Sequence, residues 1–291
     1  MRRKNKIALV LCGGGSQGVA EIGFYRALTE KGIKPDFIIG TSVGAINGAF
    51  IASGLDIDQI KELWLEISHQ KLYRLNPELL WKWGNATSLF KPTGLKQFLM
   101  NYLPVKTFEE LSIPLTVVAT DLQKAEPVYL DKGPLLHALM ASSAIPVYFP
   151  PQIMNGDQLV DGGITNNIPI DTAYGMGASA IYCMLNVCRH QFKRSVSGLF
   201  DTLIRSSEVS QYQKLRDDTD RTAPDAELYL LDMCINTQLT GVLDFSKTEI
   251  IMEEAYRFSK KALERGYGCV PLPLNSGHEI PQKIANSYLP V

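Results

Sequence analysis

Two short apolar runs near the start of the chain each end at a glycine-marked turn and lead into a helix-compatible stretch. No other feature constrains the fold as strongly. Residues 6–12 run into Gly13-Gly14-Gly15-Ser16-Gln17-Gly18 and then a helical pattern from Val19 to Lys31. Phe37-Ile-Ile-Gly40 runs into Thr41-Ser42-Val43-Gly44, and the small and apolar residues 43–53 suit a tightly packed helix. A strand, a crossover helix and a second apolar strand form a βαβ unit, which predicts a parallel sheet. With 291 residues, 45% of them hydrophobic, the chain has the apolar material to build one.

From Asp56 to about Pro104 the pattern changes to amphipathic helical segments carrying Trp64, Trp81 and Trp83, interrupted by Pro77 and Pro92. This predicts a helical cap or insertion over approximately 56–104. Pro114-Leu-Thr-Val-Val-Ala119 returns to a strand pattern, a helix is expected around 134–143, and Asn155-Gly156 marks a hairpin whose second strand, Gln158-Leu-Val160, runs into Asp161-Gly-Gly163. Further on the pattern predicts a strand at 179–187, a helix near 196–216, a strand at 226–232 and a final helix from Ser246. There Ser246 and Glu249 have capping-box spacing. No linker, repeat or biased tract divides residues 1–291, so the expected organisation is one α/β domain with a cap.

Lys+Arg (29) nearly cancel Asp+Glu (30), so no global positive field would collect nucleic acid. The five cysteines lack paired spacing, which argues against a disulfide framework or a zinc knuckle, and no metal or cofactor is expected. No apolar stretch approaches the roughly 18 residues of a membrane span. Arg2, Arg3 and Lys4 before an apolar run mimic an export signal, but the run is only six residues and bulky Leu11 precedes Cys12. It reads as a buried strand, and a cytoplasmic location is expected. Between His69 and Phe98, Lys71, Arg74, Lys82, Lys91 and Lys96 face a single acid, Glu78, and interleave with Tyr73, Trp81, Trp83, Phe90 and Phe98. That mixture suits peripheral contact with a bilayer. It also suits aromatics packed on the core beneath a solvated basic face. Self-association is left open.

Gly40-Thr41-Ser42-Val43-Gly44 matches G-x-S-x-G, in which the serine occupies a sharp strand-to-helix turn and is exposed as a nucleophile. The loop from Gly13 to Gly18 opens a helix with unhindered amides, a site that favours negative charge. That charge is either the oxyanion of an acyl-transfer intermediate or a nucleotide phosphate. Gly13, Gly15 and Gly18 do satisfy G-x-G-x-x-G, and Asp36 lies 18 residues beyond Gly18, near the spacing of a ribose-binding acid. Yet Asp36 precedes its strand, whereas such an acid belongs at the carboxyl end. Val19 after Gly18 excludes a Walker A loop.

A nucleophilic serine needs a base. The histidines are His69, His137, His190 and His278, and the hydrolase order Ser…Asp…His would require one of the last two. Neither follows a clear strand with a glycine-marked turn, and both read as exposed loop residues. Asp161 is better placed, ending a short strand and followed by two glycines that allow close approach. Asp121, just beyond the strand ending at Ala119, competes with it or makes a structural hydrogen bond. Asp157, beside Asn155-Gly156, reads as a turn residue.

The glycine loop, Gly40-Thr-Ser-Val-Gly44, Ala141-Ser-Ser-Ala-Ile-Pro146 and Asp161-Gly-Gly163 followed by Asn166-Asn167 together resemble the ordered blocks of patatin-like phospholipases over residues 13–167. The resemblance implies a three-layer α/β/α fold with a largely parallel central sheet, and lipid acyl hydrolysis by a Ser-Asp dyad without metal. It assigns the nucleophile to Ser42, the base to Asp161 and the oxyanion loop to Gly13, Gly14, Gly15 and Gly18. A phospholipase A or lysophospholipase type of activity on a lipid or membrane surface is expected. The other readings are a dinucleotide-binding protein and a catalytically silent membrane-associated scaffold. One departure stands out: the family usually carries arginine or lysine before the last glycine of the loop, and this chain has Gln17.

Overall fold

The computed structural model describes residues 6–69, 72–80, 82, 86–186, 195–221, 226–233, 243–266 and 269–270. β1 (Ile7–Leu11) and β2 (Phe37–Thr41) form at the two apolar runs and pair in parallel, with Leu11 opposite Gly40. Every residue of β2 and all of β1 after Ile7 are buried, and neither strand contains a charged residue. Between them a 3-10 turn over Gly15–Val19 leads into α1 (Ala20–Glu30), and a single residue, Ser42, separates β2 from α2 (Val43–Ala52).

The next segment holds α3 (Ile57–His69), a small hairpin of β3 (Arg74–Leu75) and β4 (Phe90–Lys91), and α4 (Thr93–Tyr102). There follow β5 (Leu115–Asp121), β6 (Glu126–Leu130), α5 (Leu135–Ser142), β7 (Gln152–Met154), β8 (Asp157–Asp161) and α6 (Ile170–Gly175). The last elements are β9 (Ala180–Leu185), α7 (Leu199–Arg221), β10 (Glu227–Asp232), α8 (Thr248–Glu264) and β11 (Cys269–Val270). The strands line up as β11-β10-β9-β1-β2-β5-β8-β7, with β6 also paired to β5. β10, β9, β1, β2 and β5 are mutually parallel, and the antiparallel strands lie to either side.

Alternation along β1 and β2 sorts their side chains onto two cores. Leu9, Leu11 and Ile38 pack with Phe24 of α1, Phe50 of α2 and Met252 of α8, whereas Ala8, Val10, Phe37 and Ile39 pack with Ile170 of α6 and Leu215 of α7. The result is a three-layer α/β/α fold with a mostly parallel central sheet. Trp64 of α3 and Phe98 of α4 sit in the first of these cores, each 1% exposed, so these helices of the expected cap are continuous with the main body. Trp64 Nε1 donates to Asn47 Oδ1 at 2.9 Å, which allows the indole to be buried whole.

One sequence expectation changes, and one open reading is narrowed. α8 begins at Thr248 with Lys247 at its N-cap and no side-chain cap, so Ser246 and Glu249 form no capping box. The reason is local: Asp244 Oδ1 accepts the Ser246 amide and Thr248 Oγ1 donates to Phe245 O, which holds the turn open until Thr248. Among the interleaved aromatics, Phe98 belongs to the core, and Tyr73 and Phe90 pack edge to face with ring centroids 5.0 Å apart. Lys71, Trp81 and Trp83 lie outside the described residues, as do His190, His278, Cys188 and Cys234.

Candidate active site

Sheet register puts the serine and the aspartate in one row. Thr41 lies opposite Val118 across β2 and β5, and Ala119 lies opposite Asp161 across β5 and β8. One residue past Thr41, Ser42 is therefore level with Ala119 and Asp161. Beyond Asp161 the chain folds back over β5: a Cβ at Gly162 would sit 2.3 Å from Val118 O and 3.1 Å from Thr41 Cγ2. The glycine after the aspartate is what permits that approach. Ser42 Oγ donates to Asp161 Oδ2 at 2.6 Å, with the residues 5% and 6% exposed.

Ser42 has φ 56° and ψ −124°, a conformation that L-residues rarely adopt and that costs about 1–3 kcal/mol. The surroundings hold it there. Its N–H donates to Ser142 Oγ at 2.8 Å, and its carbonyl accepts from Ala45 and Ile46 in the first turn of α2. A Cβ at Gly40 would lie 2.6 Å from Ala45 Cα, and one at Gly44 would lie 2.4 Å from Leu11 O, so both flanking glycines are steric requirements.

Asp161 Oδ1 accepts the Gly163 amide at 2.8 Å, which leaves Oδ2 for the serine. Burial pushes the carboxyl up to about 6, against the opposing effect of the Ser42 and Gly163 hydrogen bonds. A carboxylate in that range is a stronger base than an exposed aspartate and still ionised at neutral pH.

The four loop glycines have different surroundings. The Gly13 amide donates to Asn167 Oδ1 at 3.0 Å, and a Cβ on Gly13 would come within 3.1 Å of Ser42 Cβ, so the loop and the serine are in contact. Gly14 and Gly15 have no acceptor for their amides among the described residues. Gly18 is a packing residue: a Cβ there would lie 2.4 Å from Val43 Cγ1, and its carbonyl accepts from Asn47 Nδ2 at 2.9 Å. Gln17 is half-buried, and its backbone N–H donates to Gly14 O at 3.2 Å.

Behind the loop lies a buried acid that the sequence reading passed over. Glu21 is 0% exposed; its carboxyl accepts from the Cys12 amide, from Asn186 Nδ2 at 3.1 Å and from Asn47 Nδ2 at 2.8 Å. Burial pushes it up to about 8 despite these three donors. Cys12 Sγ and Cys183 Sγ lie 3.5 Å apart as free, buried thiols.

The competing groups are occupied elsewhere. Asp121 accepts the Gln123 and Lys124 amides and the Lys124 ammonium, whose hydrogen bond holds its carboxyl below the usual range. Asp157, expected as a turn residue, also pairs with Lys124, at 2.6 Å. Asp36 Oδ2 accepts the Ile7 amide at 2.7 Å, at the amino edge of the sheet and opposite the glycine loop. That placement removes the acid the dinucleotide reading requires. His137 is exposed on α5, and the His69 side chain lies outside the described residues. Among the described residues no cluster of three or more His, Cys, Asp or Glu could hold a metal ion.

The model of the family described as patatin-like phospholipase matches residues 9–174, an interval that contains the glycine loop, Ser42, Ser142 and Asp161. The chain belongs to the patatin-like phospholipase family. Among similar proteins is patatin-like phospholipase domain-containing protein 7 of Rattus norvegicus, 35% identical over 182 residues, covering 61% of this chain and 13% of that protein. Another is lysophospholipase nte1 of Aspergillus terreus, 26% identical over 311 residues, covering 98% of this chain and 20% of that protein. The chain thus spans a small part of the length of these curated relatives. Among solved structures, VipD from Legionella pneumophila aligns with 14% identity and a TM-score of 0.45, covering 89% of this chain and 67% of that one.

Proposed function

We propose that this protein hydrolyses carboxylic esters of lipids, with Ser42 as nucleophile and Asp161 as general base. The observation that carries the reading is the 2.6 Å hydrogen bond from Ser42 Oγ to a buried carboxylate whose second oxygen is already anchored by Gly163. Ser42 Oγ attacks the ester carbonyl while its proton passes to Asp161 Oδ2. The oxyanion that forms faces the Gly14 and Gly15 amides at the start of the turn into α1, with Gly13 holding the loop against the serine. Collapse expels the alcohol, which takes the proton from Asp161 and leaves an acyl-serine. Water then loses a proton to Asp161, attacks the acyl carbon and releases the acid, and the proton returns to Ser42. Gln17 in place of the family's basic residue removes a positive charge beside the loop but leaves the backbone donors. We expect activity to persist at a reduced rate.

A similar protein carries the name lysophospholipase, and lysophospholipids are the first substrates to assay. No helix among the described residues is long and apolar enough to cross a membrane. The reading places the enzyme in the cytoplasm, meeting its substrate at a bilayer through the basic and aromatic segment 69–98. Leu75 and Leu80, 72% and 81% exposed beside Arg74 and Lys82, support that contact. Labelling with a fluorophosphonate followed by peptide mass analysis tests the whole reading. Modification of Ser42, with loss of hydrolysis of a lysophospholipid panel, is expected. Saturating reagent that leaves Ser42 unmodified would sink it.

A further inference from the structure

Two loops have to keep their geometry for the proposed chemistry, the glycine loop after β1 and the turn after Asp161. They belong to distant parts of the chain and share no strand pairing. A single side chain from α7, beyond the interval matched by the family model, bonds to both sets of contacts. Gln211 Oε1 accepts from Asn167 Nδ2 at 2.9 Å, and Gln211 Nε2 donates to Gly163 O at 2.9 Å and to Ser207 Oγ at 3.0 Å.

We infer that Gln211 is a positioning residue that locks the oxyanion loop to the base-bearing turn; the catalytic role of both loops rests on the function proposed above. An amide side chain is directional, with acceptor and donor at opposite ends. The Gly163 carbonyl, which can only accept, fixes which end of Gln211 is the donor. The oxygen of Gln211 then faces Asn167 and requires the amide nitrogen of Asn167 to point toward it. Asn167 Oδ1 is thereby turned to the Gly13 amide, and its Nδ2 also reaches Gly13 O at 3.4 Å. Were Asn167 reversed, its NH2 would oppose the Gly13 N–H, and that peptide would rotate and carry the Gly14 and Gly15 amides with it. At the other end Gln211 holds Gly163, whose N–H anchors Asp161 Oδ1. The chain of contacts runs from Gly13 through Asn167, Gln211 and Gly163 to Asp161, coupling the oxyanion donors to the base.

The test compares Gln211→Met, similar in length without either polar group, with Gln211→Glu, which keeps the acceptor for Asn167 and loses the amide donor to Gly163. Hydrogen exchange of the full chain reads the lock directly. In Gln211→Met, exchange should accelerate in both 12–18 and 162–167 while the strands stay protected. With a water-soluble short-chain ester, and rates normalised to Ser42 sites titrated by fluorophosphonate, kcat should fall about tenfold to a hundredfold with KM nearly unchanged. Gln211→Glu should retain slow exchange at Gly13 and lose protection only around Gly163. Rates per titrated site within twofold of the parent and unaltered exchange in both loops would overturn the inference, as would acceleration confined to α7. Failure of the parent enzyme to label or turn over overturns the proposed function instead, and the exchange result still decides whether the lock exists.

Discussion

Ser142 Oγ accepts the amide hydrogen of Ser42 at 2.8 Å and donates its own hydrogen to Val118 O at 2.6 Å. The bond ties the strained turn to the neighbouring strand from behind and gives a structural reason for the Ala141-Ser-Ser-Ala-Ile-Pro146 block. Ser142 is fully buried at the end of α5, so removing its hydroxyl leaves the Ser42 N–H without a partner and away from water. Ser142→Ala should lower stability by about 1–3 kcal/mol, the cost of an unsatisfied buried donor. Because the Ser42 conformation is itself strained, the loss should also relax the turn and reduce kcat more than KM. Urea unfolding and steady-state kinetics on the same preparation check both effects. A variant with parental stability and kcat would remove Ser142 from the support of the nucleophile.

In the proposed mechanism the raised carboxyl of Asp161 sets the pH dependence. As a base it must be ionised, so kcat/KM should rise with pH through an acid limb near 6, about two units above the ordinary aspartate value of 3.8. Stability runs the other way. The folded chain retains this proton between 3.8 and about 6 while the unfolded chain releases it, so ionisation of the group erodes stability as pH rises through that window. The shift corresponds to roughly 3 kcal/mol as an upper bound. Asp161→Asn should therefore abolish hydrolysis, as Ser42→Ala should, and yet unfold at equal or higher urea than the parent at pH 7. Retained turnover in either variant would remove the dyad from the mechanism.

Glu21 acts in a higher window. Its folded value of about 8 lies above the ordinary 4.5, so its contribution to stability is fully present below 4.5 and is lost as pH rises toward 8. Glu21→Gln removes the titration but turns an NH2 group toward the donors Cys12 N–H, Asn47 and Asn186, with which it cannot pair as an acceptor. The variant should be less stable than the parent at pH 5 by about 1–3 kcal/mol, and its stability should vary less between pH 5 and 8. Denaturant midpoints at several pH values measure this. Parallel pH profiles for parent and variant would show that Glu21 titrates alike in the folded and unfolded chains and that burial does not raise it.

The strained turn at Ser42 is legible in the sequence because its requirements are local. Gly40 and Gly44 are demanded by contacts within a few residues and with β1, and strands covered on both faces leave no polar position to blur the two apolar runs. Asp161 is legible for a similar reason, since Gly162 must follow it closely. Gln211 is not, because its partners Asn167 and Gly163 lie 44 and 48 residues away and its helix carries polar side chains along most of its length. Glu21 is hidden in the opposite way, an acid in the first turn of α1 whose three donors come from just past β1, from α2 and from just past β9. Spacing alone also misplaces the start of α8, where Asp244 and Phe245 shape the turn that Ser246 was expected to cap.

Membrane contact through the hairpin segment makes the remaining prediction. Glu78 lies 3.1 Å from Lys82 and 3.8 Å from Lys91, so part of the basic charge counted in the sequence is neutralised within the segment itself. Phe98 is withdrawn into the core, so Leu75 and Leu80 are the exposed large apolar side chains among the described residues of 72–98 and would carry any insertion. Burying a leucine side chain contributes about 1.5–3 kcal/mol, so replacing both by serine should weaken vesicle association at least about tenfold. Hydrolysis of a dissolved short-chain ester should not change, because neither leucine contacts the dyad row. Co-sedimentation with neutral and anionic vesicles separates the contributions. Binding that falls with added salt but is indifferent to Leu75→Ser and Leu80→Ser would assign the contact to charge alone, whereas binding that responds to the leucines in neutral vesicles assigns it to insertion.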